Sequence, residues 1–277
     1  MTVRPTLHSD LDDSSPAWLV PAADLEQGVS LVEEVDGRVV AAGVRRFTRT
    51  GASRDGVELH CHDGHGSILL RQLADAAESP VLVRVIPGTP MEVAATEAGG
   101  RVVQSVPAAY VDTSHPDVRE WADRHASLDG GVVTSGEDLT LDELVDLWMA
   151  PYLRMHEGWA PTEDVAATRA SFRRRFAEAL DTGRTSIARV DGAPLAAVFV
   201  VGPFDGILMP ILIEVEPDHP MAESAARAAV ARALASADPH PVEFDGHADG
   251  PTYLRILLDI PQRSSGALTP MDLIELD

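Results

Sequence analysis

The 277-residue sequence contains no lysine and no asparagine, one cysteine, and few aromatic residues, which make up 5% of the chain. A single cysteine, Cys61, excludes an internal disulfide and fits a reducing compartment. No apolar run approaches the ~20 residues that a membrane-spanning helix needs; the longest, around Leu195 to Val201, has the length of a strand. The opening stretch MTVRPTLHSDLDDSSP has no apolar segment of the kind that directs secretion. The expectation is a cytoplasmic protein with no membrane partner. All 22 basic residues are arginine, and they face 44 acidic ones, for a net charge of -22. Such an excess repels phosphate backbones, so no nucleic-acid partner is expected. The chain is 45% hydrophobic, enough for a packed core, in a length that suits two small domains or one large one.

The chain resembles itself. VEEVDGRVVAAGV (32–44) and IARVDGAPLAAVFV (187–200) each read as strand, Asp-Gly turn and second strand, with Asp36 and Asp191 standing 155 residues apart. Asp-Gly between alternating apolar residues is a strong hairpin signal, because the turn needs positive φ. A further Asp-Gly opens a third strand in each half, at Asp55 and at Asp205. A helix follows (67–77 and 223–237), then a short strand (81–86 and 242–245), then a helix begun by Pro90 or Pro251. Proline suits the first helical turn, where its missing N–H costs nothing. The second half adds two leading helices, 141–159 and 162–183, the first opened by Thr140 and Glu143 at capping-box spacing. SLDGGVVTSGED (127–138) reads as a linker, dividing a domain over 1–126 from one over 139–277.

Residues 60–73, HCHDGHGSILLRQL, join the third strand of the first half to its helix. On a strand His60 and His62 point to one face and Cys61 to the other, so they do not close on one ion, and no metal is expected. Two readings stay open: a turn whose backbone N–H groups cup a phosphate at a helix start, and a plain strand-to-helix corner.

The order helix, helix, hairpin, third strand, helix, strand, helix, final strand is similar to that of the GNAT acetyltransferase superfamily. The whole chain resembles a tandem GNAT protein whose first copy lacks its leading helices, an α/β (α+β) fold of two mostly antiparallel mixed sheets flanked by helices. In that family the turn after the third strand reads Arg/Gln-x-x-Gly-x-Gly/Ala and holds the coenzyme A diphosphate. Gly64 and Gly66 match its glycines and Leu69 and Leu70 the Leu-Leu beyond, while Cys61 replaces the Arg or Gln. The resemblance thus implies acetyl-CoA bound along Leu59, Cys61, Gly64, His65, Gly66 and Ser67. Arg45, Arg46, Arg49 and Arg54, at the far end of the preceding hairpin, add a local basic cluster for its phosphates. The second half keeps the family's Val215, Pro217 and His219, but Pro220, Met221 and Glu223 stand where Arg and two glycines belong.

The resemblance also implies a catalytic base on the third strand, Glu58 or Glu214, and an acid from a tyrosine on the helix after the next strand, which Tyr253 supplies in the second half only. From the residues alone, Asp245, His247 and Asp249 at period two would share one strand face, where a carboxylate orients His247 as a base. WMAPYLRMHEGWAP (148–161) reads as core packing between helices before it reads as a pocket. The expected activity is acetyl-CoA-dependent N-acetyl transfer to a small cationic amine, with the coenzyme in the first copy. The alternative is a catalytically inactive binding or regulatory protein.

Overall fold

The structure, a computed structural model, describes residues 1–7, 10, 28–46, 54–107, 109–261, 263–264 and 270–277. In chain order the strands are β1 (Thr2–Pro5), β2 (Gly28–Val35), β3 (Arg38–Arg46), β4 (Asp55–Cys61), β5 (Val81–Val85), β6 (Arg101–Val106), β7 (Ala109–Val111), β8 (Gly131–Ser135), β9 (Ser186–Val190), β10 (Ala193–Phe204), β11 (Ile207–Glu214), β12 (Val242–Phe244), β13 (Arg263–Ser264) and β14 (Met271–Leu276). The helices are α1 (Ser67–Asp75), α2 (Pro90–Glu97), α3 (Pro116–His125), α4 (Leu141–His156), α5 (Val165–Ala179), α6 (Ala222–Ala237) and α7 (Pro251–Asp259).

Local chemistry accounts for many of these boundaries. Asp36-Gly37, Asp191-Gly192 and Asp205-Gly206 all take positive φ, as the tight turns of β2–β3, β9–β10 and β10–β11 require. Thr140 and Glu143 form the reciprocal capping box at the start of α4. Pro90, Pro116 and Pro251 each open a helix. The helix α3 and the short strand β7 are additions to the elements expected from the sequence.

The strands form two seven-stranded sheets of the same design, β1-β2-β3-β4-β5-β14-β6 and β8-β9-β10-β11-β12-β7-β13. In each, an antiparallel meander passes into one parallel pair, β4 with β5 and β11 with β12. The sixth place is taken by a strand from the other half of the sequence: β14 lies antiparallel to β5, and β7 antiparallel to β12. The chain accordingly divides into unit 1, residues 1–105, 159–164 and 271–277, and unit 2, residues 106–158 and 165–270. This differs from the division expected at 126 and 139. The stretch 127–138 is no linker, since it contains β8, the edge strand of the unit 2 sheet. Its Gly, Ser and Asp content reflects the turns on either side of a five-residue strand.

Within unit 2 the apolar run of β10 serves two cores. Ala196, Val198 and Val200 pack toward the alanine-rich α6, while Ala197 and Phe199 pack toward Trp148 and Phe176 of α4 and α5. A strand covered on both faces loses polar alternation, which is why 195–201 reads as one hydrophobic block. In unit 1, Leu69, Leu70 and Leu73 of α1 pack on Val81, Val83 and Ile274, so β14 contributes core as well as ladder.

On β14, the buried Glu275 carboxylate lies between Arg54 (2.8 Å) and Arg101. Removing one partner of a buried ion pair leaves the other charge uncompensated. Glu275→Ala should therefore lower the stability of the protein by about 3 kcal/mol in urea denaturation, with unit 1 losing its ladder first in hydrogen exchange.

Candidate functional site

In both units the parallel pair is short and the helix that follows starts beside its open end. The β4–β5 ladder covers only Asp55–Val57 against Val81–Val83, leaving Glu58 to Cys61 beyond it. In unit 2 the pairing runs from Leu208–Val242 to a bridge between Ile211 and Asp245. Here the sequence places most of its candidate residues.

In unit 1, Gly64 and Gly66 both take positive φ, and Gly66 is the N-cap of α1. A Cβ on Gly66 would lie 2.9 Å from the Cβ of Cys61, so glycine is required there twice over. The amide it presents is already engaged. Gly66 N–H donates to Oε2 of Glu33 at 2.9 Å, and Nδ1 of His65 lies 3.0 Å from Oε1 of the same carboxylate. Glu33 projects from β2 and is 1% exposed. The turn expected to receive a diphosphate thus holds an anion of the chain's own, which takes a donor and repels a phosphate. The coenzyme site expected along Leu59 to Ser67 thus has the Gly66 amide taken by Glu33 and a carboxylate beside it.

The other unit 1 candidates follow suit. Leu59 is a core residue. Burial first, then Glu33 and Asp63, push the Cys61 thiol up to about 11, so it is no substitute for a cationic anchor. Glu58 is 47% exposed at its side chain and engaged by Arg46 (2.9 Å) and His60 (3.3 Å), which places it at the surface rather than in a pocket. Arg45 is buried beside Asp55, Arg46 holds Glu58 and Arg54 holds Glu275, so three members of the expected basic cluster serve internal pairs. Arg49 lies outside the described residues.

In unit 2 the start of α6 carries no glycine. Met221 N–H donates to Nδ1 of His219, and Ala222 N–H to the His219 carbonyl. Glu223 does not cap its helix but reaches Arg255 of α7 (2.9 Å) and Arg227 one turn on (3.2 Å). Arg255 first, and Arg227, hold its carboxyl below the usual range. The two guanidiniums are suited to phosphate oxygens, and the chain's own carboxylate sits on them.

Beside this lies a buried polar cluster. Tyr253, in the first turn of α7, is 6% exposed, and its ring covers Gly246 so closely that a Cβ there would lie 2.5 Å from it. His247 follows Gly246, and its ring meets that of His156 edge-on, with centroids 5.3 Å apart. The His156 ring lies tilted by 31° against that of Tyr152, centroids 3.9 Å apart, and its Nδ1 lies 2.8 Å from the Tyr152 carbonyl. That bond fixes the tautomer in which Nε2 carries the lone pair. Burial holds His156 down at about 4, against the raising effect of that bond. Burial likewise lowers His247, while Asp245 and Asp249 act in the opposite sense. The expected shared strand face of Asp245, His247 and Asp249 is not formed: β12 ends at Phe244, and only Asp245 continues the pairing, through one bridge. Glu214 ends β11 half-buried, with its carbonyl accepting a hydrogen bond from Arg154. Tyr253, His247 and Glu214 therefore belong to unit 2 and Glu58 to unit 1.

No group of three or more metal-ligating side chains occurs among the described residues, and no helix among them is long and apolar enough to cross a membrane. No family model matches the sequence, and no curated protein matches it. Solved structures do share the fold. A tandem GNAT protein from the clavulanic acid biosynthesis pathway superposes with a TM-score of 0.55 at 17% identity, over 89% of this chain and 81% of that one. A GCN5-related N-acetyltransferase from Sphaerobacter thermophilus gives 0.60 at 13% identity, over 99% and 95%. The resemblance read from the order of elements thus holds at the level of fold.

Two residues of weight escaped the sequence reading. Glu33 lies on the strand face that carries Val29 and Leu31 into the core, a carboxylate among apolar neighbours that alternation alone could have flagged. His156 sits in the aromatic stretch 148–161 and was indistinguishable there from core packing. Its burial has a measurable consequence. Between about pH 6.5 and pH 4 the unfolded chain binds a proton that folded His156 refuses, so stability falls as pH falls through that window. The loss should approach about 3 kcal/mol at its acid end, with His247 acting in the same direction. His156→Gln should flatten this limb of a plot of Tm against pH.

Proposed function

We propose that this tandem GNAT-fold protein transfers an acyl group to a small amine, and that the chemistry belongs to unit 2. The fold supports acyl transfer in general as the class of activity. The observation that carries the finer reading is the pairing of His156 and His247, two imidazoles kept neutral near pH 7 by burial, beside the open end of β11 and the buried Tyr253. A neutral imidazole takes a proton from the acceptor's ammonium, which frees the amine lone pair that attacks, and a tyrosine hydroxyl donates a proton to a departing thiolate. Gly246 keeps the Tyr253 ring against the backbone that leads to His247. A net charge of -22 favours a cationic acceptor, and it disfavours nucleic acid as a partner; a cytoplasmic location and the absence of a membrane partner belong to the same reading.

An acetyl-CoA donor supplies the activated thioester when bound. Of this chain's residues, Arg255 would hold its phosphates in place of the carboxylate of Glu223, beside Arg227, which Asp259 also engages. A second reading, a protein that binds without catalysing, is favoured by a specific observation: in both units the chain's own carboxylate occupies the cationic or amide groups that a phosphate needs.

Calorimetry with acetyl-CoA and a thiol-release assay across a panel of amines separate the two. Acyl transfer in unit 2 predicts binding that weakens about tenfold or more in Arg255→Glu. It also predicts a kcat lowered on the order of 100-fold in Tyr253→Phe, with coenzyme affinity unchanged. No binding at millimolar ligand and no thiol release with any amine would leave the non-catalytic reading standing.

A further inference from the structure

We infer that Glu33 is a resident anion, a carboxylate that fills the phosphate-type cradle of unit 1 and closes that unit to phosphate-bearing ligands. The inference stands apart from the assignment of chemistry to unit 2. It begins at the start of α1. A helix start gathers about half a positive charge and several N–H groups without helical partners. α1 meets neither need locally: its N-cap is Gly66, no side chain caps it, and its first turn contains no acidic residue. The counter-charge comes instead from another strand. Oε2 of Glu33 accepts from the Gly66 amide at 2.9 Å while Oε1 lies 3.0 Å from Nδ1 of His65. One carboxylate therefore engages a backbone amide and an imidazole of the same turn.

Three further observations make this a fixed arrangement. Glu33 is 1% exposed, and a carboxylate so buried is costly unless its oxygens are bonded. β2 is held on both sides, by β1 and by β3, and Glu33 itself is paired in register with Val3 and Ala41, so the side chain cannot withdraw with its strand. The turn cannot withdraw either, because Gly66 already lies against Cys61 and Ala94. A phosphate approaching this corner meets a filled donor and a like charge.

The test uses the full chain and inorganic pyrophosphate as the probe. Glu33→Ala should lower Tm by on the order of 5 °C. Pyrophosphate should restore at least half of that loss and leave the wild-type Tm unchanged. Glu33→Thr, whose shorter, neutral and β-branched side chain suits a strand and vacates the cradle, covers the case in which the alanine variant does not fold. In that variant calorimetry should show one pyrophosphate site more than in the wild type. Both gains should persist in an Arg255→Glu background, so that a failure of the unit 2 proposal is not mistaken for a failure of this one. Loss of stability with no rescue by pyrophosphate and no added site in either variant would reduce Glu33 to an ordinary helix partner and overturn the inference. So would wild-type protein that binds pyrophosphate with a shift of the Gly66 amide resonance.

Discussion

A helix that begins at the end of a sheet strand brings unsatisfied amide hydrogens into a partly dry corner, and something must bond to them. Much of what distinguishes this chain follows from what does so. At α1 a carboxylate comes from the neighbouring strand; before α6 the imidazole of His219 takes the Met221 amide. Helix starts of this kind are in general a natural place for a phosphate. Filling them internally trades a ligand site for a self-contained corner, and it does so differently in the two units. In unit 1 the intruding group bonds the amide directly. In unit 2 the carboxylate of Glu223 lies across arginine side chains, an exchangeable partnership at the surface.

That difference separates the two halves in how firmly each anion is held. A buried carboxylate with both oxygens engaged and its strand paired on both sides has no low-energy alternative position. A surface carboxylate between two guanidiniums has water as an alternative partner, and pairs of this kind contribute little to stability. The unit with the exchangeable anion is also the one that holds the neutral imidazoles and the buried tyrosine.

The fold was legible because its signals are local. Positive φ at Asp-Gly, proline at a first helical turn and the Thr140–Glu143 box each act over a few residues, and the repeated order of these signals gave the doubling. The grouping of the chain was not legible, since β7 and β14 cross between halves and nothing in strands of three and six residues states which sheet they will join. The site was half legible. Gly64 and Gly66 both take left-handed backbone, and Gly66 lies close against Cys61. Its occupant, Glu33, stands 33 residues earlier than Gly66, and only the fold brings the two together. Likewise Tyr253 and His247 are near in sequence, whereas their neighbour His156 arrives from a helix almost a hundred residues away.

The crossing of β14 sets an order of events in synthesis. The ribosome delivers residues 28–106, most of unit 1, long before it delivers 271–276, and the whole of the other sheet is made in between. Until then β5 and β6 have a gap between them, with two rows of backbone groups that pair with any extended strand. The early half must wait, incomplete and adhesive, for its last strand, so the chain cannot be folded as two successive modules.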